Sequence, residues 1–243
     1  MQNNSLAKWN KDTSNVLKDT LACLAEGLTG IAASERKELA LSVGHIFQSL
    51  RKGQFLSRLL EEWNAYKDKG RIKEDYLGTE QHQACLQELL TSLDKDCPDE
   101  IRFQTLKKIF LVAATEKASD RNSLLPYQFL RLCREMTSGE IIVLQAAYKI
   151  AKKAKIPNGV GTGLWLRMVA DESGLTHTSL VEIHEEQLMK KYLLTGRLYA
   201  DRSGVDINPH FRLTELAYGF CEFIANYAQT HDSDSKAAKD TTT

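Results

Sequence analysis

The chain has 243 residues, which is enough for one large or two small domains. Its acidic and basic residues balance to a formal net charge of +0, so no overall field attracts nucleic acid or an anionic membrane surface. Hydrophobic residues make up 42% and charged residues 26% of the chain, as in ordinary globular proteins. Any basic surface that binds phosphate must therefore be local.

Cysteine usage and short apolar runs predict a soluble, cytoplasmic protein. The five cysteines are widely spaced and include no Cys-x-x-Cys pair, so we expect reduced thiols rather than disulfides or a metal site. An apolar run such as Ile109–Ala114 is too short to span a bilayer, and residues 1–5 do not resemble a signal peptide. We expect no cofactor and no membrane partner.

The first part of the chain has the periodicity of successive amphipathic helices. Leu17, Leu21, Leu24 and Leu28 recur at intervals of three and four residues, which places them on one helix face. Ser34 is a suitable N-cap for the helix that follows. These patterns predict an N-terminal helical bundle.

An aromatic stripe continues this pattern. Phe55, Leu59, Trp63 and Tyr66 lie at helical spacing, which predicts a helix whose apolar face packs into a core. A partner-binding surface is the alternative for this stripe. Thr79 is expected to cap the next helix.

The segment Thr137-Ser-Gly-Glu140 fits a capping box, in which the hydroxyl and the carboxylate each accept a hydrogen bond from the other residue's backbone. It predicts the start of an apolar helix over 141–154 and marks a domain boundary. The predicted organisation is a helical domain over 1–137, a winged-helix domain over 138–231 and a disordered tail over 232–243.

The order of elements after residue 140 is typical of a winged helix-turn-helix. We predict helices over 164–172 and 176–192 joined by a turn at Gly174, strands over 193–199 and 211–213 around a wing at 201–210, and a last helix capped by Thr214. The predicted fold class is therefore mainly α: an N-terminal helical bundle followed by a winged helix-turn-helix with a small β-hairpin.

Modules of this kind mostly bind nucleic acid, with the second helix of the pair in the major groove. The candidate contacts are Thr176, His177, Thr178 and Ser179 at the start of that helix, Lys190 and Lys191 at its end, and Arg197, Arg202 and Arg212 around the wing. From Glu140 to Arg212 there are ten Lys or Arg and eight Asp or Glu residues, a surplus of only two positive charges. Because affinity for DNA depends mostly on phosphate neutralisation, one such module would bind weakly alone, bind as a homodimer, or not bind DNA at all.

A protein partner is the alternative to DNA. Glu182, Glu185 and Glu186 are predicted on the exposed face of the same helix, where they would repel phosphates. They would instead dock a protein. Both hypotheses stay open at this point.

Enzymatic activity is not expected. The glycines in Gly159-Val-Gly-Thr-Gly163 could cradle a phosphate at a helix N-terminus, but no strand precedes them, and a flexible interhelical loop is favoured. His184-Glu185-Glu186 lacks the second histidine of a zinc-protease helix. No Gly-x-Ser-x-Gly nucleophile motif occurs.

Three segments of the sequence resemble the abortive-infection alpha family of bacterial proteins. They are Pro98 to Leu111, Leu125 to Leu130 and Met136 to Glu140, and the step from Thr214 to Gly219 is similar to a strand-to-helix step of that family. The resemblance covers residues 80–228. It implies a bacterial or phage-related protein with a regulatory or phage-defence role, and it supplies no catalytic residues.

Overall fold

The computed structural model describes residues 41–46, 49–77, 79–115, 124–153, 159–196, 198–201 and 204–240. The chain divides into two compact units, one ending at Arg134 and the other beginning at Glu135, whereas the sequence placed the boundary at residue 137. The leucine stripe at 17–28 and the predicted cap Ser34 lie outside the described residues. The described part of the chain is mainly helical and contains a small antiparallel sheet.

Within the described residues, the first unit contains four helices of eleven or more residues. They are α1 (Leu50–Asp68), α2 (Glu80–Thr91), α3 (Glu100–Ala113) and α4 (Leu125–Glu135), with a 3-10 turn at Glu74–Tyr76 and a π-helical turn at Ser92–Asp96. The Thr79 hydroxyl accepts a hydrogen bond from the backbone N–H of His82 at 3.1 Å, which confirms the predicted cap of α2. Asp99 caps α3 in the same way, through the N–H of Arg102 at 3.0 Å.

The aromatic stripe of α1 lies in the core of the first unit. Phe55, Leu59, Trp63 and Tyr66 are all buried, so the prediction of a core-facing helix is confirmed. The Phe55 ring stacks on Phe103 of α3, with the ring centroids 4.3 Å apart. Such stacked aromatic pairs add to the stability that burial of their area provides.

The second unit contains the sheet. Its elements are α5 (Ser138–Ala151), β1 (Val160–Gly161), α6 (Thr162–Ser173), α7 (Thr178–Lys190), β2 (Leu198–Asp201), β3 (Gly204–Ile207), α8 (Pro209–Arg212) and α9 (Glu215–Asp240). The strand order is β1-β3-β2, with both neighbours of β3 antiparallel. Val160 pairs with Ile207 on one side of β3, and Leu198 pairs with the same residue on the other. The helices α5, α6 and α7 pack against one another beside this sheet.

Local signals fixed the helix ends of this unit. Thr137 and Glu140 form the predicted capping box at the start of α5. Gly174 ends α6 with a φ of 74°, a left-handed conformation that suits glycine. Thr214 caps α9 by accepting a hydrogen bond from the N–H of Ala217 at 3.2 Å. These three predictions are confirmed.

The predicted strands need correction. The first strand begins at Leu198 rather than at residue 193, and β3 lies inside the segment 201–210 that was predicted to be the wing. The strand predicted over 211–213 is wrong, since Pro209–Arg212 is a helical turn and Leu213 keeps only one antiparallel bridge, to Leu194. Asn208 caps that turn through the N–H of His210, and Pro209 occupies its first position, which favours helix over strand.

The last helix runs further than predicted. Helical backbone continues to Asp240, within the segment 232–243 for which the sequence predicts a disordered tail. Adding residues to an existing helix costs far less than starting one, so a polar segment without apolar anchors can extend it. Within the described residues, no helix is both long and apolar enough to cross a membrane.

Candidate interaction surface of the second unit

The structure places two predicted contact residues, Glu185 and Arg212, inside the second unit. Their exposed fractions are 3% and 5%. Glu185 Oε2 accepts a hydrogen bond from Arg212 Nη2 at 2.8 Å, and Glu185 Oε1 accepts one from Trp165 Nε1 at 2.7 Å. Arg212 Nη1 also donates to the carbonyl oxygen of Thr195. The prediction of Glu185 on an exposed face is therefore wrong, and Arg212, which was predicted to contact phosphate, is buried in the same group.

This buried group joins four parts of the unit. Trp165 lies on α6, Glu185 on α7, Thr195 between α7 and β2, and Arg212 at the end of α8. The two charges are compensated by each other and by the hydrogen bonds around them, which buried charges require. The chain segments on both sides of the β2–β3 hairpin are consequently held against the helices by polar contacts.

Lys191 is also engaged within the unit. Its ammonium group contacts Glu140 Oε1, while Glu140 Oε2 accepts a hydrogen bond from the N–H of Thr137 at 2.6 Å. Burial acts to raise the pKa of the Glu140 carboxyl, but the hydrogen bonds from Lys191 and Thr137 outweigh it, and the net effect is a lowered pKa. Lys191 therefore completes the capping box of α5 and is not a free phosphate ligand.

Other basic residues of this unit are paired on the surface. Lys153 lies 2.7 Å and Lys149 3.5 Å from carboxylate oxygens of Glu172. Lys152 lies 2.8 Å from Glu222 and above the ring of Tyr148. Their charges are locally neutralised, so they do not form a positive strip.

The outer face of α7 carries apolar and acidic side chains. Val181, Glu185 and Leu188 are buried on one side of the helix, while Ile183 and Leu180 are 54% and 40% exposed on the other. The acidic residues Glu182 and Glu186 are exposed beside them. We call Leu180, Glu182, Ile183 and Glu186 the outer face of α7. Among the described residues, neither of its two glutamates forms an ion pair.

The polar start of α7 is exposed as expected. Thr176, His177, Thr178 and Ser179 are all accessible, and the His177 side chain makes no capping hydrogen bond. Lys190 is exposed at the other end of the helix. Arg197 and Arg202 lie outside the described residues.

The glycine segment is built differently from the favoured flexible loop. Val160 and Gly161 form β1, and Thr162 begins α6 at once. The side chain of Asp206 approaches Gly159, with its Oδ2 only 3.1 Å from the position that a Cβ would take. A carboxylate at this position would repel a phosphate group. Within the described residues, no cluster of three His, Cys, Asp or Glu side chains is arranged to hold a metal ion.

Trp165 and Thr195 were missed by the sequence reasoning, although one signal pointed to the buried group. Glu185 lies four residues after Val181 and three before Leu188, so it falls within an apolar helix stripe. A charge in that stripe predicts a buried partner. The identity of the partner, Arg212, is not encoded locally.

Comparison of the chain with protein-family models, with curated proteins and with solved structures gives no match. The resemblance to the abortive-infection alpha family remains an expectation from its motifs.

Proposed function

We propose that the second unit is a winged helix that binds a protein through the outer face of α7. The order of elements supports the winged-helix interpretation: a helix, a short strand, two helices joined at Gly174 and a hairpin whose second strand lies between the other two. In this arrangement α7 takes the position of the recognition helix and the β2–β3 hairpin that of the wing.

The observation that carries the proposal is the composition of the outer face. Two large aliphatic side chains, Leu180 and Ile183, are exposed next to two carboxylates, Glu182 and Glu186. A phosphate backbone is repelled by such a surface, whereas exposed apolar side chains with polar neighbours are typical of protein interfaces. The complementary partner is a segment that places apolar side chains beside Lys or Arg, such as a basic amphipathic helix.

Binding of model peptides tests this chemistry. Two amphipathic peptides with the same leucines are compared, one with Lys and one with Glu at the flanking positions, and fluorescence anisotropy is recorded at low and high salt. We expect the Lys peptide to bind more tightly, with a preference that weakens in salt because the charges are exposed. The variant Glu182→Lys/Glu186→Lys should reverse the preference.

Two variants test whether the peptide binds at the outer face of α7 or elsewhere on the second unit. Ile183→Asp should abolish peptide binding without loss of stability, whereas Phe211→Asp, which changes an apolar residue outside the face that is also more than half exposed, should leave binding intact. Equal binding of the two peptides, or binding that Ile183→Asp leaves unchanged, contradicts the proposal.

Nucleic-acid binding is the second candidate, and the exposed polar start of α7 favours it. The exposure of Thr176 to Ser179 supports it, since the leading residues of a recognition helix contact DNA. A gel shift with Arg197→Ala/Arg202→Ala tests it, and Arg212 is left intact because it is buried. Loss of a salt-sensitive shift in this variant would support DNA as the ligand. A phage-defence role rests on the family resemblance alone.

A further inference from the structure

One exposed face of α6 combines an aliphatic side chain with two charges. Leu164, Arg167 and Asp171 are exposed at positions i, i+3 and i+7, which form one stripe along a helix. Leu164 is 56% exposed. We call these three residues the outer face of α6. Among the described residues, its two charges form no ion pair and no side-chain hydrogen bond.

The outer face of α7, continued by Lys190, has the same spacing with the charges inverted. Ile183, Glu186 and Lys190 are exposed at positions i, i+3 and i+7 of that helix. Both patterns begin with an aliphatic residue, but α6 continues with a cation and then an anion, whereas α7 continues with an anion and then a cation. Lys190, like Glu186, forms no ion pair within the described part of the chain.

The two patterns are complementary when the helices lie side by side and parallel. Positions i, i+3 and i+7 are those that meet in parallel coiled coils, where each residue lies opposite the residue at the same position of the other helix. The contact extends over about 10 Å of helix, a length that two crossing helices can share. The resulting pairs are Leu164 with Ile183, Arg167 with Glu186, and Asp171 with Lys190.

Within one copy of the chain, α6 and α7 meet through their other sides. Trp165 and Val169 of α6 are buried, as are Val181 and Leu188 of α7. Trp165 Nε1 donates to Glu185 Oε1 at 2.7 Å across this contact. The two outer faces lie on the opposite sides of their helices, and in the described residues none of their charges pair with each other. The complement of each face is therefore available on a second copy.

We propose that the chain self-associates, with the outer face of α6 of one copy bound to the outer face of α7 of another. This inference rests on the proposed function, because it names the occupant of the protein-binding face of α7. A reciprocal arrangement, in which each copy supplies both faces, closes a two-fold symmetric dimer. The contact is short and its charges are exposed, so we expect weak association that high salt weakens further.

Sedimentation equilibrium of the full chain, from micromolar to near-millimolar concentrations, measures the association. Arg167→Glu and Glu186→Arg each place like charges opposite one another, so each should weaken association at least about tenfold. The double variant Arg167→Glu/Glu186→Arg should restore association, because the facing charges are again opposite. An equimolar mixture of the two single variants should also associate, since each supplies the charge that the other lacks.

A charge reversal elsewhere provides the matched control. Arg131 of the first unit is also an exposed arginine that forms no ion pair among the described residues. Arg131→Glu changes the net charge of the chain as Arg167→Glu does, and it should associate as the wild type does. Ile183→Asp should abolish association, because it removes the aliphatic contact.

Three results overturn the proposal. They are a wild type that is monomeric at every concentration, association that Arg167→Glu leaves unchanged, and no recovery in the double variant or the mixture. The proposed function fails separately. A monomeric chain that still binds the Lys peptide, and loses it in Ile183→Asp, keeps the outer face of α7 as a protein-binding surface and excludes a second copy as its occupant.

Discussion

Glu185 and Arg212 form an ion pair inside the second unit, with Nη2 and Oε2 2.8 Å apart and both side chains at least 95% buried. The two residues are separated by 27 positions in the chain. The pair connects α7 to the turn that follows the β2–β3 hairpin, so the position of the hairpin depends on it. The pair holds α7 and the turn after the hairpin together, and its burial keeps both charges away from the surface.

Replacing only one residue of this pair should destabilise the protein strongly. Arg212→Met leaves the Glu185 carboxylate buried, with Trp165 as its one remaining partner among the described residues, and loss of one member of a buried pair typically costs about 3–5 kcal/mol. Urea unfolding followed by circular dichroism measures the change. The double variant Glu185→Leu/Arg212→Met should recover much of the loss, because neither charge is then buried.

A surface pair serves as the control for this experiment. Lys152 and Glu222 are both about half exposed, and the pair spans the surface of the same unit. Lys152→Ala should change the free energy of unfolding by less than about 1 kcal/mol. A loss in Arg212→Met no larger than that of Lys152→Ala would contradict the assignment of a structural role to Arg212.

The Glu140 carboxylate should make stability depend on acid pH. Its pKa is lowered in the folded protein from the ordinary 4.5, since the hydrogen bonds from Lys191 and Thr137 outweigh the effect of burial. The stabilisation is therefore present above pH 4.5 and is lost as the pH falls through the lowered folded-state pKa. The stability difference between wild type and Glu140→Gln should shrink over that range in pH-dependent urea titrations. A difference that stays constant with pH would show that the charge of Glu140 is not responsible.

His82 should destabilise the first unit as the pH falls from 6.5 to 4. Burial lowers its pKa from 6.5 to about 4, so the unfolded chain binds a proton in this interval and the folded chain does not. The full effect corresponds to about 3 kcal/mol. His82→Phe should remove this slope from the stability profile, whereas His45→Phe, at an exposed histidine of the same unit, should retain it. Equal slopes in the two variants would contradict the prediction.

Gly139 should not tolerate alanine, although it lies within a helix. A Cβ at this position would overlap the imidazole ring of His184, which brings α5 and α7 close together. Alanine normally stabilises a helix by about 1 kcal/mol relative to glycine, so the sign of the change is diagnostic. Gly139→Ala should lower the melting temperature, and Gly163→Ala, which has open space around its Cβ, should not. The double variant Gly139→Ala/His184→Ala should recover the loss if the overlap is its cause.

Local chemistry explains why much of the fold was predictable. The capping box at Thr137, the left-handed turn at Gly174 and the apolar stripe from Phe55 to Tyr66 each depend on neighbours within a few residues, and each was predicted. The strand assignment at 211–213 failed because one short apolar segment suits a strand or a helical turn equally well. Asn208 and Pro209 decided in favour of the turn.

The amino-acid sequence by itself determined that the chain is mainly helical, where many of its helices begin and end, and that its second half contains a small hairpin after a helix pair. Only the tertiary structure decided which charged residues of that half are available to a ligand. Glu185, Arg212 and Lys191 carry charges that are usually exposed, yet each is paired with a residue from a distant segment of the chain. Such pairing is a property of the packed chain and not of the local sequence. Glu182 and Glu186 differ from Glu185 only in direction around one helix, and that direction leaves the outer face of α7 apolar and acidic.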